Sequence, residues 1–414
     1  MARRKPQSPD LLGATARVPQ HVVHRSFAHE TVVLNLKTGR YHGLNPTAGR
    51  MLAELETGLP VGDIAATLAE VYERPVDEIE RDLVELCLDL RERGLIELTD
   101  ADGGAFGVDV RASFAIPELP SGAAPRGAPR VTLERADPGE LTRDWRARSA
   151  ERLLERQHLD GRLMMAVERD EDDRFHVWAP YYGRHLVSAD GALVRSALPA
   201  VGAWRWERLL FAQVLPLAAA LRGRELFHAS AVALGEAAIA FVGLSGAGKS
   251  SLAAHLVARG ATLLADDVLA LEPVVAGVLA HPGTGLAGVA SHELAAMSSE
   301  GRARLGRRVG AIDKVYLSVP VTRRPVPLQA LYYLTRGTGA AVEIHASGSL
   351  PSRLLGSSFI AYLRSPRFLV EHLDVCTHVA ATVPVLELAV PATVPAPQVA
   401  GAVEAHARTL PGAS

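Results

Sequence analysis

The sequence predicts a two-domain chain: a small winged-helix-like α+β module, then a larger α/β domain built around a phosphate-binding loop. Three observations carry this expectation. Strand-like runs give way to helix-periodic ones within the first hundred residues, and a stretch rich in Gly, Ala and Pro follows. From position 237 a short apolar strand, a glycine-rich turn and an apolar helix succeed one another.

The first ten residues read as a loose tail, and residues 11–100 as the small module. HVVHRSF, ETVVLNL and YHGL alternate like strands, with a turn at Lys37-Thr38-Gly39-Arg40. Asn45-Pro46 predicts a helix start, Asn as cap and Pro in the first turn, and that helix ends near Gly58. A second helix carries Ile64, Leu68 and Val71. A third, opened by Pro75, carries Ile79, Leu83, Leu86 and Leu90 at steps of three and four, and GLIEL closes the module as a strand. Residues 101–130, with GGAFG and PELPSGAAPRGAPR, read as a flexible linker. Residues 131–410 form the larger domain, where FHVWAPYYGRHLVSADGALV is strand-rich and WERLLFAQVLPLAAALRG helical.

Composition excludes several classes. A net charge of −2 and a pI near 6.7 give no general attraction to nucleic acid or anionic membrane. The small module holds nine Lys or Arg against fifteen Asp or Glu, a net −6, so its winged-helix character does not imply duplex binding. Cys87 and Cys376 are too far apart in sequence to suggest a disulfide framework or metal cluster, and read as buried free thiols. The basic opening MARRKPQ precedes no apolar core, and the longest apolar run, Leu209 to Leu221, is too short to span and contains Pro216. A cytoplasmic protein with no membrane and no nucleic-acid partner is expected.

Of 44 basic residues only Lys5, Lys37, Lys249 and Lys314 are lysines. In so arginine-biased a chain, a lysine suggests a place that needs a compact ammonium. Lys249 closes Gly243-Leu244-Ser245-Gly246-Ala247-Gly248-Lys249-Ser250, which fits G-x-x-x-x-G-K-[ST] at every fixed position, with strand AAIAFVG before it and helix SSLAAHLVARG after. The glycines let backbone N–H groups face phosphates at the positive end of the helix. Lys249 is expected on the β- and γ-phosphates, Ser250 on magnesium, and Ser251 completes the contact set. Strand ATLLA then delivers Asp266-Asp267 at its carboxyl end, only 17 positions after Lys249. Two carboxylates allow one to hold magnesium while the other takes a proton from an attacking hydroxyl, which suits a kinase better than a hydrolase. The expected division is Asp266 as base and Asp267 on the metal.

FHASAVALGEAAIAFVGLSGAGKSSLAAHLVARGATLLADDVLAL resembles the catalytic core of the HPr kinase/phosphorylase family. The resemblance implies a phosphoenolpyruvate carboxykinase-like P-loop fold with a mixed central sheet, and a serine hydroxyl as phosphoacceptor. It implies His228 beside the phosphates and the Asp pair, and Lys314, in Asp313-Lys314, on a phosphate or an acidic partner. It also makes a homo-oligomer the expectation. The Glu-x-Arg-Gly stretch which that family carries after its Asp pair is missing, so a kinase-only relative with another target is implied. Arg323, Arg324, Arg364 and Arg367 are candidates for acceptor contacts.

GRYHGLNPTAG and LRERGLIEL, within the small module, look like the PqqD family. That resemblance implies a recognition element for the leader of a ribosomally made, modified peptide, with the leader added as a strand to a sheet edge. Together the two likenesses imply an ATP- and Mg2+-dependent kinase acting on a serine of a leader-bound precursor peptide, lasso peptides being one setting. The other readings are a nucleotide-gated leader-binding adaptor without transfer activity, and a serine kinase of a folded regulatory protein.

Overall fold

A computed structural model describes residues 14–410 except 20, 58, 60, 100, 115, 121–123, 126, 147, 159 and 347–350. The tail expected over the first ten residues lies outside these. The chain divides into two compact units.

In the smaller unit, strands Val22–Ser26, Thr31–Asn35 and Arg40–Leu44 form an antiparallel three-stranded sheet. Helices Pro46–Leu55, Val61–Tyr72 and Val76–Glu92 follow in the expected order. Asn45 caps the first of them, its side chain accepting from Ala48 N at 2.8 Å. Asn35 Oδ1 accepts from the backbone N–H of Lys37 and Thr38, which turns the chain between the second and third strands. The first helix packs so close to the sheet that a side chain at Gly49 would stand 2.2 Å from Thr31 Oγ1. Val33, Leu52, Leu55, Leu68, Leu83 and Leu90, all at or near zero exposure, fill the space between. The closing strand, Glu97–Thr99, does not join this sheet; it pairs with Thr15–Arg17.

The span 101–130 differs from the linker expected there. Strands Ala101–Ala105 and Val108–Ala112 lie within it. Val108, Val110 and Ala112 are buried in strict alternation, a period-two pattern that the surrounding Gly, Ala and Pro obscure in the sequence. Gly103 permits a close approach, since a side chain there would meet Leu119 and the Pro120 carbonyl at 2.7 Å.

The larger unit contains the strand-rich segment expected near its start, an antiparallel run of Ala150–Gln157, Leu163–Asp170, Phe175–Ala179, Gly183–Val187 and Leu193–Ala197. The apolar segment Ala203–Leu221 is helical throughout, with a π turn at Leu210–Val214 just before Pro216. Among the described residues a nine-stranded mixed sheet forms the core, as expected. Val326–Gly337 runs parallel to Ala237–Val242 on one side and to Val385–Pro391 on the other, whereas Ser230–Leu234 lies antiparallel to its neighbours. Helices Lys249–Ala258 and Ala396–Ala407 cover one face through Leu252, Leu256, Val399 and Val403. Helix Pro366–Thr382 covers the other through Cys376 and Val379. Both cysteines are free and buried; burial pushes the Cys87 thiol up to about 12.

Candidate functional site

Sheet register gathers the site. Ser230 stands opposite Phe241, and Ala231 opposite Ala265, so one end of three adjacent strands presents His228, the Gly243 turn and Asp266 together. Ser230–Leu234 runs antiparallel between the strand that leads into the glycine loop and the strand that carries the aspartates, and brings the histidine with it.

The loop has the curl a phosphate cradle needs. Gly243, Gly246 and Gly248 all have positive φ, at 144°, 78° and 100°, and a side chain at Gly243 would stand 2.9 Å from the Leu334 carbonyl. Helix Lys249–Ala258 begins immediately after, which points its free N–H groups at the loop. Lys249 is buried, its Nζ donating to the carbonyls of Gly243 at 2.9 Å and Leu244 at 3.2 Å. Burial lowers its pKa, against the opposing pull of Asp267 and Asp266.

A cavity of about 220 Å3 opens beside the loop. Ser245, Gly246, Gly248, Lys249, Ser250 and Ser251 line it from the loop and its helix, His228 and Asp267 from the adjacent strand ends, and Lys314, Glu293 and the Gly288–Ala290 segment complete it. Lys314 reaches it because Val315 pairs with Val289, the strand that forms the far wall. Thus His228, Lys249, Ser250, Ser251, Asp267 and Lys314 converge. Leu244 is 78% exposed and Ala247 packs toward the core, and neither lines the cavity. Nor do the four candidate arginines; Arg367 pairs with Glu371 at 2.9 Å and Arg364 donates to the Ala361 carbonyl.

The two aspartates face different partners. Asp266 accepts from Ser230 Oγ at 2.8 Å, and Asp266 itself does not line the cavity. Burial and the Asp267 charge raise its pKa, partly offset by the Ser250 and Ser230 hydroxyls. Asp267 faces the cavity, with Oδ1 3.2 Å from His228 Nδ1. Burial works against its charge, yet the hydrogen bond and charge of His228, with Lys249 and Lys314, hold it below the usual carboxylate range. The backbone separates them: Val268 N–H donates to the Asp266 carbonyl at 2.9 Å around Asp267 at φ 71°, a tight γ-turn in the left-handed region.

Two contributors escaped the sequence reading. Ser230 follows His228 by two positions, so the alternation of an extended chain was the available signal. Glu293 has no motif around it; its Oε1 accepts from Ser251 Oγ and its Oε2 meets His255 Nε2, both at 2.7 Å.

Residues 30–96 match the family model of coenzyme PQQ synthesis protein D (PqqD). This part of the chain is similar to the PqqD family. The PqqD segment covers the second and third strands and all three helices of the smaller unit. No curated protein matches the chain. Among solved structures, one described as "TbiB1 in Complex with the TbiA(beta) Leader Peptide" is 30% identical, covering 20% of this chain and 94% of its own, with a TM-score of 0.19. A "Lasso peptide synthetase B1 complexed with the leader peptide" is 28% identical over 20% and 98%, with a TM-score of 0.19. The HPr(Ser) kinase/phosphatase from Coxiella burnetii is 12% identical over 44% and 95%, with a TM-score of 0.25.

Proposed function

We propose that the chain is an ATP-dependent serine kinase, cytoplasmic in setting, that phosphorylates a ribosomally synthesised precursor peptide held by its leader on the PqqD segment. The observation that carries the transfer half is the cavity where Lys249, Ser250, Asp267, His228 and Lys314 meet beside a glycine loop at a helix start. The left-handed glycines, with open space at Gly246 and Gly248, fit a polyphosphate. A hydroxyl with one or two carboxylates fits magnesium, which takes few protein ligands and keeps phosphate oxygens and water for the rest. Magnesium bound there supplies charge neutralisation on the transferring phosphoryl group.

The geometry favours the reverse of the division of labour expected from sequence. Ser250 and Asp266, near enough for the hydroxyl to favour the carboxylate's charge, are the pair suited to the metal. Asp267 faces the cavity beside His228, so it is the carboxylate with access to an acceptor hydroxyl. It takes the hydroxyl proton, and His228 keeps the carboxylate aimed and charged. Lys249 leaves the loop carbonyls for the phosphate oxygens, and Lys314 offsets charge from the far wall.

For the capture half, the PqqD match is joined by the form of the sheet. Val22–Ser26 and Arg40–Leu44 are its outer strands, and Val23 and Tyr41 on them are 41% and 72% exposed. An extended leader gains backbone hydrogen bonds on such an edge and apolar contacts from such side chains. The tether then raises the effective concentration of the core peptide at the cavity.

The test incubates the purified chain with Mg-ATP and candidate precursor peptides, with and without leaders, and follows a phosphate mass increment. Phosphate on serine only when the leader is attached supports the proposal, and Lys249→Ala abolishes it. Nucleotide binding without transfer to any peptide replaces it with a leader-binding adaptor. Transfer to a folded protein alone replaces the substrate.

A further inference from the structure

Glu293 lines the cavity, yet both its oxygens are committed to the helix across from it. Ser251 and His255 stand one turn apart on the face of Lys249–Ala258 that meets Glu293, and each contacts a different carboxylate oxygen at 2.7 Å. His255 is buried, and the Glu293 side chain is 19% exposed. Glu293 itself sits on a single short helix, Ser291–Ala296, that buries none of its own residues. This helix directly continues the Gly288–Ala290 wall. Past Val289 the wall leaves its strand pairing with Val315–Ser318, so the carboxylate is the polar tie from wall to loop helix at that point.

We propose that Glu293 is a positioning residue for the phosphate ligand: by gripping Ser251 and His255 it fixes the distance between the two walls of the cavity. The inference rests on the nucleotide reading above. Burial disfavours the Glu293 charge, but His255 and Ser251 hold its pKa below the usual range, so the tie stays in place at neutral pH. A neutral amide preserves its shape, one end accepting from Ser251 and the other donating to the imidazole, whereas a methyl group removes both contacts.

The experiment measures Mg-ATP affinity by calorimetry, melting temperature, and kcat against the KM for Mg-ATP with the unphosphorylated acceptor peptide, for the full chain and for Glu293→Gln and Glu293→Ala. The expected result is Glu293→Gln within about threefold of the parent affinity and Glu293→Ala about tenfold weaker or more, a loss carried by KM with kcat nearly unchanged. Equal affinity in all three chains, at similar melting temperatures, overturns the positioning role and leaves the nucleotide reading standing. Equal loss in Glu293→Gln and Glu293→Ala overturns it too, because then charge and not shape matters. A parent chain that binds no Mg-ATP removes the nucleotide reading, and the positioning role with it.

Discussion

Nδ1 of His228 lies 3.2 Å from Oδ1 of Asp267. The two residues come from opposite ends of a segment that folds back through three strands and the loop helix, and they meet on the cavity wall. His228 is among the groups that keep the Asp267 pKa low. Replacing it with Ala removes that support, so the Asp267 pKa rises and the acid limb of the kcat profile moves to higher pH. Stopped assays carried down through pH 3.8, the carboxylate's ordinary value, are expected to show that shift with a fall of about 10²-fold in kcat, while Asp267→Asn costs about 10²–10⁴-fold with no acid limb left.

Asp266 stores instability. Because its pKa is raised in the folded chain, the native state binds that proton more tightly than the unfolded state, whose value is near 3.8. Stability therefore falls as pH rises through the window above 3.8. Asp266→Asn removes the charge and keeps a hydrogen-bonding side chain toward Ser230 and Ser250. Calorimetry at pH 7 is expected to give a melting temperature higher by about 2–4 °C, roughly 1 kcal/mol in a domain of this size, alongside lost transfer activity. A lower melting temperature contradicts the reading.

The γ-turn at Asp267 separates backbone from side-chain effects. At φ 71° an L residue without a polar side chain is strained, whereas Gly is not and Asn tolerates the region. Asp267→Gly and Asp267→Asn are expected to melt close to the parent and Asp267→Ala lower, by about 1 kcal/mol. All three are expected to lose about 10²-fold or more in kcat. Identical melting of the Ala and Gly chains argues against a strained turn.

Two buried imidazoles make the strand-rich segment acid-sensitive. Burial lowers His176 to about 4 and His185 to about 3; the Glu168 contacts oppose it at His176, and the charge of His176 adds to it at His185. The unfolded chain takes up protons below 6.5 while the folded chain does not, so stability is full above that value and drops as pH falls toward 4. Urea unfolding at pH 7 and pH 5 is expected to show a lower midpoint at pH 5, and His185→Gln to reduce the difference.

His372 behaves in the opposite sense. Burial disfavours its charge, but hydrogen bonds from its ring to Cys376 and Glu225, with the Glu225 charge, raise it to about 10. That stabilisation is complete below 6.5 and is lost as pH rises toward 10. Glu225→Gln is expected to flatten the melting temperature between pH 7 and pH 10.

What the sequence disclosed was whatever local spacing encodes. The glycine loop, Lys249 and Ser250 occupy consecutive positions with a fixed geometry, and Asn45-Pro46 is a local helix signal, so both were legible. The Asp pair was legible for the same reason, one helix and one strand beyond the lysine. The partners of those aspartates were not, because they depend on register between strands distant in sequence. Nothing near position 230 says that this strand runs backwards between loop and carboxylates, handing Ser230 to Asp266 and His228 to Asp267. Glu293 depends on pairing of Leu286–Val289 with Val315–Ser318, which no pattern around it announces. The misread linker shows the converse: Val108, Val110 and Ala112 alternate faithfully, but small residues on either side lent them the look of a spacer.

The strand that runs backwards between loop and carboxylates has a genetic corollary. His228, the glycine turn, Lys249, Ser250 and both aspartates all fall between positions 228 and 267, so one uninterrupted ribbon carries the groups to which the proposal gives the transfer. The far wall, supplied by distant residues at 288–293 and 314, is encoded apart from it and meets it only through the fold.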